Sequence, residues 1–495
     1  MALTIGEIAA KLPKAEVIGD PKVAVRGICY DSRRCEAGDL FVAVRGFVSD
    51  GHDYAADAAR RGAAAVLAER RLDLALPQVI VDDSRRAMGL AAAHFYGDPS
   101  HRLRVIGVTG TNGKTTTTYM VRSLLRAAGR KVGLIGTIEQ SIDGEAIEAS
   151  RTTPESVDLQ RLFAAMVEKG CAAAVMEVSS HGLALGRTTG TEFDVAVFTN
   201  LTQDHFDFHR DMEDYLNAKA LLFRSLGEGS PVKTGKCAVI NGDDPHAPRF
   251  AQASAAPVVT YGLGDGCDFR AVSVRIASGG VEYTAVTPQG RVPVRLRLTG
   301  RFNVYNSLAA LAVAHSEGID LEAAAPALEE TVVPGRFEPV RKGQDFSVII
   351  DYAHTPDGLV NVLETARDIA AGRVICVVGA GGDRDRAKRP LMGEVAARLA
   401  DIVIVTSDNP RSEDPLAICE EVAEGARRAG GAFEVVVDRR EAIRNAVRAA
   451  KAGDLVLIAG KGHETYQEVK GVKFPFDDRV EAAKALEEIL THGSH

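Results

Sequence analysis

The stretch "VIGVTGTNGKTTTTYMVRSLLRAAGRKVGLIGT", residues 105–137, decides how the middle of the chain folds. An apolar run from Val105 to Val108 predicts a strand. A glycine-rich turn follows, and Lys114 to Ala128 has helical spacing, with Gly129 as its stop. A second apolar run returns to strand. Strand, glycine turn, helix and strand make a βαβ unit, with a parallel sheet covered by helices. The turn holds "GTNGKTT" at 110–116. Backbone N–H groups of Gly110, Thr111, Asn112 and Gly113 and of the first helical turn, including Thr116, would cradle phosphate oxygens. Lys114 would reach the terminal phosphates and Thr115 would hold Mg²⁺. The general pattern GxxxxGK[ST] asks for glycine at 108, where this chain has Val108. A glycine turn of a dinucleotide-binding unit is the competing reading, but GxGxxG is not present there.

Outward from this unit, the chain divides into three parts. Residues 1–100 mix short strands ("GDLFVAVRG", "PQVIVDD") with alanine-rich helices, a small α/β unit. Residues 101–334 continue the phosphate-binding unit. The segment 257–298 alternates and predicts a hairpin or small sheet decorating the edge, and "TVVPGRFEPV" predicts a hinge. In 335–495, "FSVIIDY", "RVICVVGA", "DIVIVTS", "AFEVVVD" and "DLVLIAG" are near-continuous apolar strands with helical segments between them. They predict a parallel sheet covered on both faces. Ligands of such sheets sit beyond the C-terminal strand ends. "DYAHTPD", "GAGGDRDRAKRP", "SDNPR" and "GKGHETYQ" stand at four of those ends, and together they predict a pocket.

The size, 495 residues, calls for two to four domains. A formal charge of −8 argues against a nucleic-acid partner. No apolar run approaches the roughly 18 residues of a membrane span, and the start carries no basic cluster followed by an apolar core. The seven cysteines are scattered without a CxxC pair, which fits a reduced, cytoplasmic setting. The closing "THGSH" reads as a frayed tail.

Further polar groups follow apolar strands. Glu177 in "VMEVSSH" would coordinate a metal near phosphates or cap the next helix. Asp204, His205, His209 and Lys219 follow. The two histidines are four apart, but the glutamate of HExxH is missing, so a zinc protease is not expected. Lys219, between Leu216 and Leu222, reads from its spacing as a solvated helix lysine.

The ordered set "DSRRCEAGDLFVAVRG" (31–46), "GTNGKTTT" (110–117), "TTPES" (152–156), "MEVSSHGL" (176–183), "NLTQDHFDFH" (200–209), "GRFNVYNSLAA" (300–310), "PGRFE" (334–338), "DYAHTPD" (351–357), "GAGGDRDRAKRP" (379–390), "SDNPR" (407–411) and "GKGHETYQ" (460–467) resembles the Mur ligase family over nearly the whole chain. The resemblance implies an α/β protein of three domains: an N-terminal UDP-binding domain, a central P-loop ATPase and a C-terminal Rossmann-like domain. It implies ligation through an acyl phosphate, with ATP and Mg²⁺ as cofactors. Thr115, Glu177 and His205 become metal-side candidates. Lys219 matches a lysine that is carbamylated in the family, which reverses its solvated reading and places it with Lys114 and His205 among the catalytic candidates. Asn303, Asn306, Arg336 and Asp351 match nucleotide contacts, with His354 beside them. Tyr30, Ser32, Phe47, Val48 and Ser49 match UDP-side positions. Thr152, Thr153, Ser179 and Arg187 match the muramyl-peptide side, where some relatives have a glutamine in place of Leu185.

Within the family, "DNPR" marks members that add 2,6-diaminopimelate to UDP-N-acetylmuramoyl-L-alanyl-D-glutamate. The resemblance implies these two small-molecule partners and a monomer. Diaminopimelate carries a second carboxylate that lysine lacks, and an arginine fork rewards it with two parallel charge-assisted bonds. Arg411 is the candidate reader, with Arg389 a second cation. Asp408 and Glu464 would receive ammonium groups, Asn409 and Pro410 complete the loop, and Gly460 allows close backbone approach. Read as a turn alone, "SDNPR" has Pro410 fixing the backbone and Arg411 in solvent.

Overall fold

The computed structural model describes residues 3–46, 49–147, 151–228, 233–277 and 279–492. Three large sheets follow one another along the chain, with two two-stranded sheets beside them among the described residues. The first has five strands in the order Glu16–Ile18, Gln78–Ile80, Ala65–Ala68, Asp39–Val42 and Gly27–Cys29, parallel except at the Glu16–Ile18 edge. Helix Ser84–Phe95 buries Ala87, Met88 and Ala91 against it, and Asp83 caps the helix by accepting from Arg86 N.

The second sheet has eleven strands. Its centre is parallel: Val132–Ile135, Ala173–Glu177, Arg104–Thr109, Val195–Phe198 and Cys237–Asn241 lie side by side. Val108, at the position where the general phosphate-loop pattern asks for glycine, is a buried strand residue. Helix Lys114–Ala127 packs with helix Arg301–Ser316 over one face, joining Met120, Leu124, Val304, Leu308 and Leu311 in one core. Phe163, Phe193, Tyr215, Leu222 and Phe250 cover the other. The β-rich segment expected as an edge decoration is part of this sheet. Strand Val258–Gly262 pairs parallel with Phe269–Ala277, and the antiparallel strands Gly280–Thr287 and Gly290–Leu296 continue from there. The reason is its inward face: Val281, Tyr283 and Ala285 bury in the same core as the helices.

The third sheet runs Glu338–Pro339, Ser347–Asp351, Leu455–Ala459, Val374–Val378, Ile402–Val405 and Phe433–Val435, parallel apart from its first, two-residue strand. Helices Pro356–Ile369, Lys388–Leu399 and Pro415–Ala429 cover one face. Arg439–Ala449 and Asp478–His492 cover the other. The last helix takes up Thr491 and His492 of the expected frayed tail, and residues 493–495 lie outside the described ones. A hairpin, Tyr466–Val469 with Val472–Pro475, stands beside the sheet.

Side chains tie the three parts together. Tyr30 OH donates to Asp158 Oδ2 at 2.5 Å, and Arg85 Nη1 to Glu155 Oε2 at 3.2 Å. Asn112 Nδ2 donates to Asp357 Oδ2 at 2.8 Å, so the phosphate loop touches the third part directly. The expected hinge is anchored on its far side, where Phe337 N donates to Asp351 Oδ2 at 2.8 Å.

Beneath the third sheet's strand ends lies a fully buried ion pair. Arg439 Nε and Nη2 donate to the two oxygens of Asp478 at 2.8 and 2.7 Å. Arg439 also donates to the carbonyls of Ala459 (2.9 Å) and Ser407 (3.4 Å), binding two strand-end loops to one floor. Removing one partner strands a buried charge. Asp478→Ala is therefore expected to cost about 3–5 kcal/mol, read as a lowered midpoint of chemical unfolding; an unchanged midpoint contradicts this role.

Candidate functional site

The phosphate loop begins where strand Arg104–Thr109 ends. Gly110 has φ 147°, and a Cβ there would sit 1.8 Å from Thr199 Oγ1, so only glycine fits. This close approach aims the Gly110 carbonyl inward. Lys114 Nζ donates to it at 2.9 Å and to Thr111 O at 2.8 Å. Lys219 Nζ donates to the same Gly110 oxygen at 2.8 Å. The solvated reading of Lys219 is thus overturned: it is 1% exposed, and Tyr215, one turn earlier, puts its ring centroid 4.4 Å from the ammonium. Burial pushes the Lys219 amine well below the usual lysine range, and the charge of Lys114 adds to the effect. Lys114 is lowered too, by burial, with Glu177 and Asp204 partly offsetting it.

Glu177 ends its strand 1% exposed. It does not cap the next helix; Ser179 does, accepting from Gly182 N at 3.1 Å. Glu177 instead accepts from Thr137 N (2.8 Å) and Thr137 Oγ1 (3.1 Å). His205 has φ 60°, which swings its ring beside Asp204 (Nε2 to Oδ2, 3.3 Å) and His181 (4.8 Å between centroids). Partial burial holds His205 below the usual histidine range despite Asp204. Asp204 is held down to about 2: burial opposes this, and His205, His354 and Lys388 outweigh it. His209 turns away to Asp214 (Nδ1 to Oδ2, 3.5 Å), so the two histidines do not form a helical pair.

These groups line one cavity of about 1080 Å³. Thr111 to Thr116, Thr152, Thr153, Glu177, Ser179, Arg187, His205, Lys219 and Asn306 face it from the second part, and Arg336, Asp351, His354 and Arg384 from the third. Arg336 Nη2 donates to Thr115 Oγ1 at 3.2 Å, with its guanidinium over Tyr352 at 4.5 Å. Asp351 accepts from Phe337 N and Ala353 N, and burial raises its carboxyl. Thr153 Oγ1 and Ser179 Oγ lie 3.1 Å apart, Arg187 Nη1 donates to Thr153 O, and Thr152 Oγ1 meets Thr137 Oγ1 at 2.9 Å. Asn303 stays behind the wall, accepting from Asn306 Nδ2 at 3.0 Å and donating to Thr299 O. Tyr30, Ser32 and Ser49 belong to the first part, away from this cavity; Ser32 is buried at the turn capped by Asp31, and Ser49 O accepts from Gly46 N. Phe47 and Val48 lie outside the described residues. The oxygens of Thr115 and Glu177, which line the same cavity as the glycine-rich turn, suit a hard cation.

Two of the four strand-end loops expected to build a pocket reach this cavity: "DYAHTPD", and "GAGGDRDRAKRP" through Arg384. The other two form a cluster of their own. Lys461 Nζ donates to Asn409 Oδ1 (3.0 Å) and Glu464 Oε2 (3.1 Å) and lies 3.6 Å from Asp408 Oδ1. Burial raises Asp408, but Lys461 and Arg439 pull it below the usual range; burial and Asp408 leave Glu464 raised. Gly460 has φ 119°, and a Cβ there would be 2.6 Å from Asp408 Oδ2. Arg411, at φ 51°, is neither a bare turn nor fully in solvent. Its N–H donates to Glu468 O and its own carbonyl accepts from Lys470 N of the hairpin. Its Nη1 donates to Gly382 O at 2.6 Å, and Nε lies 3.6 Å from Glu468 Oε2. Pro410 O accepts from Glu413 N. Arg389 is enclosed elsewhere: its guanidinium bonds Glu413 (2.7 and 2.9 Å), Glu421 (2.8 Å) and Gly381 O. Arg384 is exposed and makes no ion pair among the described residues.

Comparison with known proteins bears on the whole chain. Residues 108–314 match the Mur ligase middle domain, 335–462 the Mur ligase glutamate ligase domain, and 24–96 the Mur ligase family catalytic domain. The chain belongs to the Mur ligase family. Its relatives include the UDP-N-acetylmuramoyl-L-alanyl-D-glutamate–2,6-diaminopimelate ligases of Geobacillus kaustophilus, 51% identical over 95% of this chain and 96% of that one, and Bacillus cereus, 50% identical over 93% and 94%. A solved structure of a ligase of the same name is 36% identical, with TM-score 0.70 and 99% of each chain covered. MurF of Thermotoga maritima in complex with ADP shares the fold at 21% identity, TM-score 0.65, covering 95% of this chain and 99% of that one.

Sequence reasoning passed over several residues that this Mur ligase brings to the site. Thr137 holds Glu177, Asp357 holds Asn112, and Lys388 reaches within 4.0 Å of Asp204 across the junction. Lys461 went unremarked because a lysine after a strand is by default a surface residue. Arg384 and Arg389 now separate by experiment. Arg389→Ala is expected to lower stability by roughly 2–4 kcal/mol, discounted for the partial exposure of its partners. Arg384→Ala is expected to leave the unfolding midpoint unchanged while weakening ligand-dependent turnover. Equal destabilisation by both contradicts the assignment.

Proposed function

We propose that this Mur ligase couples ATP hydrolysis to amide formation, adding 2,6-diaminopimelate, in its meso form, to UDP-N-acetylmuramoyl-L-alanyl-D-glutamate in peptidoglycan precursor synthesis. It is an acid–amino-acid ligase of EC class 6.3.2. We assign residues 1–100 to the UDP end, 101–334 to the ATPase and 335–495 to the amino acid. A cytoplasmic monomer fits this role; no helix among the described residues is long and apolar enough to cross a membrane. One observation carries the reading: the phosphate loop with the half-buried Lys114, the buried Lys219 and groups from the C-terminal sheet line a single cavity. The names of relatives about 50% identical support the choice of substrates.

The chemistry brings two anions together. The substrate carboxylate attacks the γ-phosphorus of ATP, giving an acyl phosphate and ADP. The free amine of diaminopimelate attacks the acyl carbon, a proton leaves, and phosphate departs. N–H groups at the start of helix Lys114–Ala127 and the Lys114 ammonium, which here donates to Gly110 O and Thr111 O, would meet the charge that develops on the transferring phosphoryl group. Thr115, Glu177, His205 and Lys219 are the residues that would hold Mg²⁺. When bound, Mg²⁺ neutralises charge shared by the phosphates. Lys219 suits a carbamate: its amine is pushed toward the neutral form, which adds to CO₂ with loss of one proton, leaving a buried anion that would help to hold Mg²⁺. Asn306, Arg336 and Asp351 take the nucleotide side, with Asn303 behind Asn306. Thr152, Thr153, Ser179 and Arg187 take the muramyl peptide, and Tyr30, Ser32 and Ser49 the UDP end. Closure about the hinge would exclude water from the acyl phosphate.

Asp408, Asn409, Arg411, Gly460 and Glu464 bound the amino-acid end, where Arg411 reads the distal carboxylate. Arg384, which faces the cavity, is the second cation in place of the enclosed Arg389. An unpaired buried charge costs about 3–5 kcal/mol, enough for roughly 10²–10⁴ discrimination against lysine.

Phosphate release is expected only when ATP, the UDP-linked dipeptide and diaminopimelate are all present, with the amide product seen by mass. Undiminished release on omitting either acceptor contradicts ligation. Lys219→Ala is expected to lose activity and regain part of it with added short carboxylic acids; full activity without them excludes the carbamate. Arg411→Lys should raise KM for diaminopimelate by about 10²-fold, and an unchanged KM removes its role as reader.

A further inference from the structure

We propose that Lys461 is a positioning residue that sets both the charge and the geometry of the amino-acid site. The inference rests on the assignment of diaminopimelate to the Asp408–Arg411 loop and deepens it.

Lys461 is 0% exposed, an uncommon state for a lysine. Its ammonium donates to two acceptors, Asn409 Oδ1 at 3.0 Å and Glu464 Oε2 at 3.1 Å, and a third acceptor, Asp408 Oδ1, stands as an ion-pair partner at 3.6 Å. All three acceptors belong to the two loops that bound the amino-acid site. Tyr466 closes one side, with its ring centroid 5.7 Å from Nζ.

Apart from Arg384, which faces the neighbouring cavity, the charges nearby sort into pairs. Arg439 and Asp478 neutralise each other below. Arg411 faces Glu468 at 3.6 Å above. Asp408, Glu464 and Lys461 remain, two negative charges and one positive. The cluster therefore keeps a surplus of one negative charge, which is the complement of one ammonium group. Without Lys461, the Asp408 and Glu464 carboxylates would face each other unscreened, the surplus would rise to two negative charges, and the site would lose the fixed acceptor geometry.

Lys461 also reaches the distal reader through a short chain of bonds. Asn409 Oδ1, held by Lys461, accepts from Glu468 N at 2.9 Å. Glu468 O accepts from Arg411 N at 3.0 Å. Asn409 Nδ2 donates to Glu464 Oε2 at 2.8 Å, closing the ring. The left-handed backbone of Arg411 costs energy and persists only where its surroundings hold it. Lys461 anchors the far end of that support.

The test is a double-mutant cycle read by steady-state kinetics on the full chain. Lys461→Met is expected to raise KM for diaminopimelate at least about tenfold, with KM for ATP and for the UDP-linked dipeptide unchanged. Glu464→Gln removes one carboxylate and is also expected to raise it. Lys461→Met combined with Glu464→Gln restores the surplus of one negative charge. Its KM is expected to fall well short of the product of the two single effects. A multiplicative result, an unchanged KM in Lys461→Met, or an equal rise in KM for all three substrates overturns the proposal. If Lys461→Met fails to fold, the comparison of Glu464→Gln with the double variant decides: a double variant that folds and binds no worse than Glu464→Gln supports charge balance, and one that also fails to fold overturns it in favour of a purely structural lysine. Turnover of the unaltered enzyme that ignores diaminopimelate would fail the proposed reaction instead, before any variant is made.

Discussion

Lys114 and Lys219 bring two amines to one oxygen, the carbonyl of Gly110. The rest of the site depends on that crowding. A glycine whose missing Cβ lets Thr199 approach turns the carbonyl inward, and a buried helix face delivers Lys219 to it. Two full positive charges cannot share a dry acceptor cheaply. The arrangement is resolved when anions arrive or when one amine gives up its charge. The first outcome serves a reaction between a carboxylate and a triphosphate, which needs positive charge in advance.

The amino-acid end solves the opposite problem. Diaminopimelate is a chain with charges at both ends, so the site proposed for it has to fix which acidic and basic groups stay free. Arg439 with Asp478, Arg389 with Glu413 and Glu421, and Lys461 with Asp408 and Glu464 are held as pairs or small clusters. Such buried pairs add little to stability over apolar packing. Their use is to fix which charges remain for a ligand. The two strand-end loops at 407–411 and 460–464 are bound to one floor by Arg439, so the remaining charges keep a set spacing.

Much of this fold follows from local pattern. The parallel strands of the second and third sheets are short apolar runs between helical spacings, and each was readable because both faces are buried. The 257–298 segment was harder: alternation reveals a half-buried strand but not which sheet it joins, and only Val281, Tyr283 and Ala285 packing on the central helices decides that. Site residues divide the same way. The phosphate loop is local and could be read from its glycines and Lys114. Lys219 and Lys461 are long-range: spacing along a helix or after a strand cannot say that a carbonyl or a carboxylate from another segment covers the side chain. "GGDRDRAKRP" has four cations between 384 and 389, and only the point where the helix starts, at Lys388, turns Arg389 inward and leaves Arg384 at the cavity.

In the proposed reaction an acyl phosphate joins the ATP site to the amino-acid site. Isotope transfer tests it most directly. With both oxygens of the acceptor's terminal carboxylate labelled as ¹⁸O, activation by phosphoryl transfer carries one label into the released phosphate and leaves one in the amide. The expected result is phosphate bearing a single ¹⁸O per amide formed. Unlabelled phosphate, or label appearing in a nucleotide monophosphate, would contradict the account.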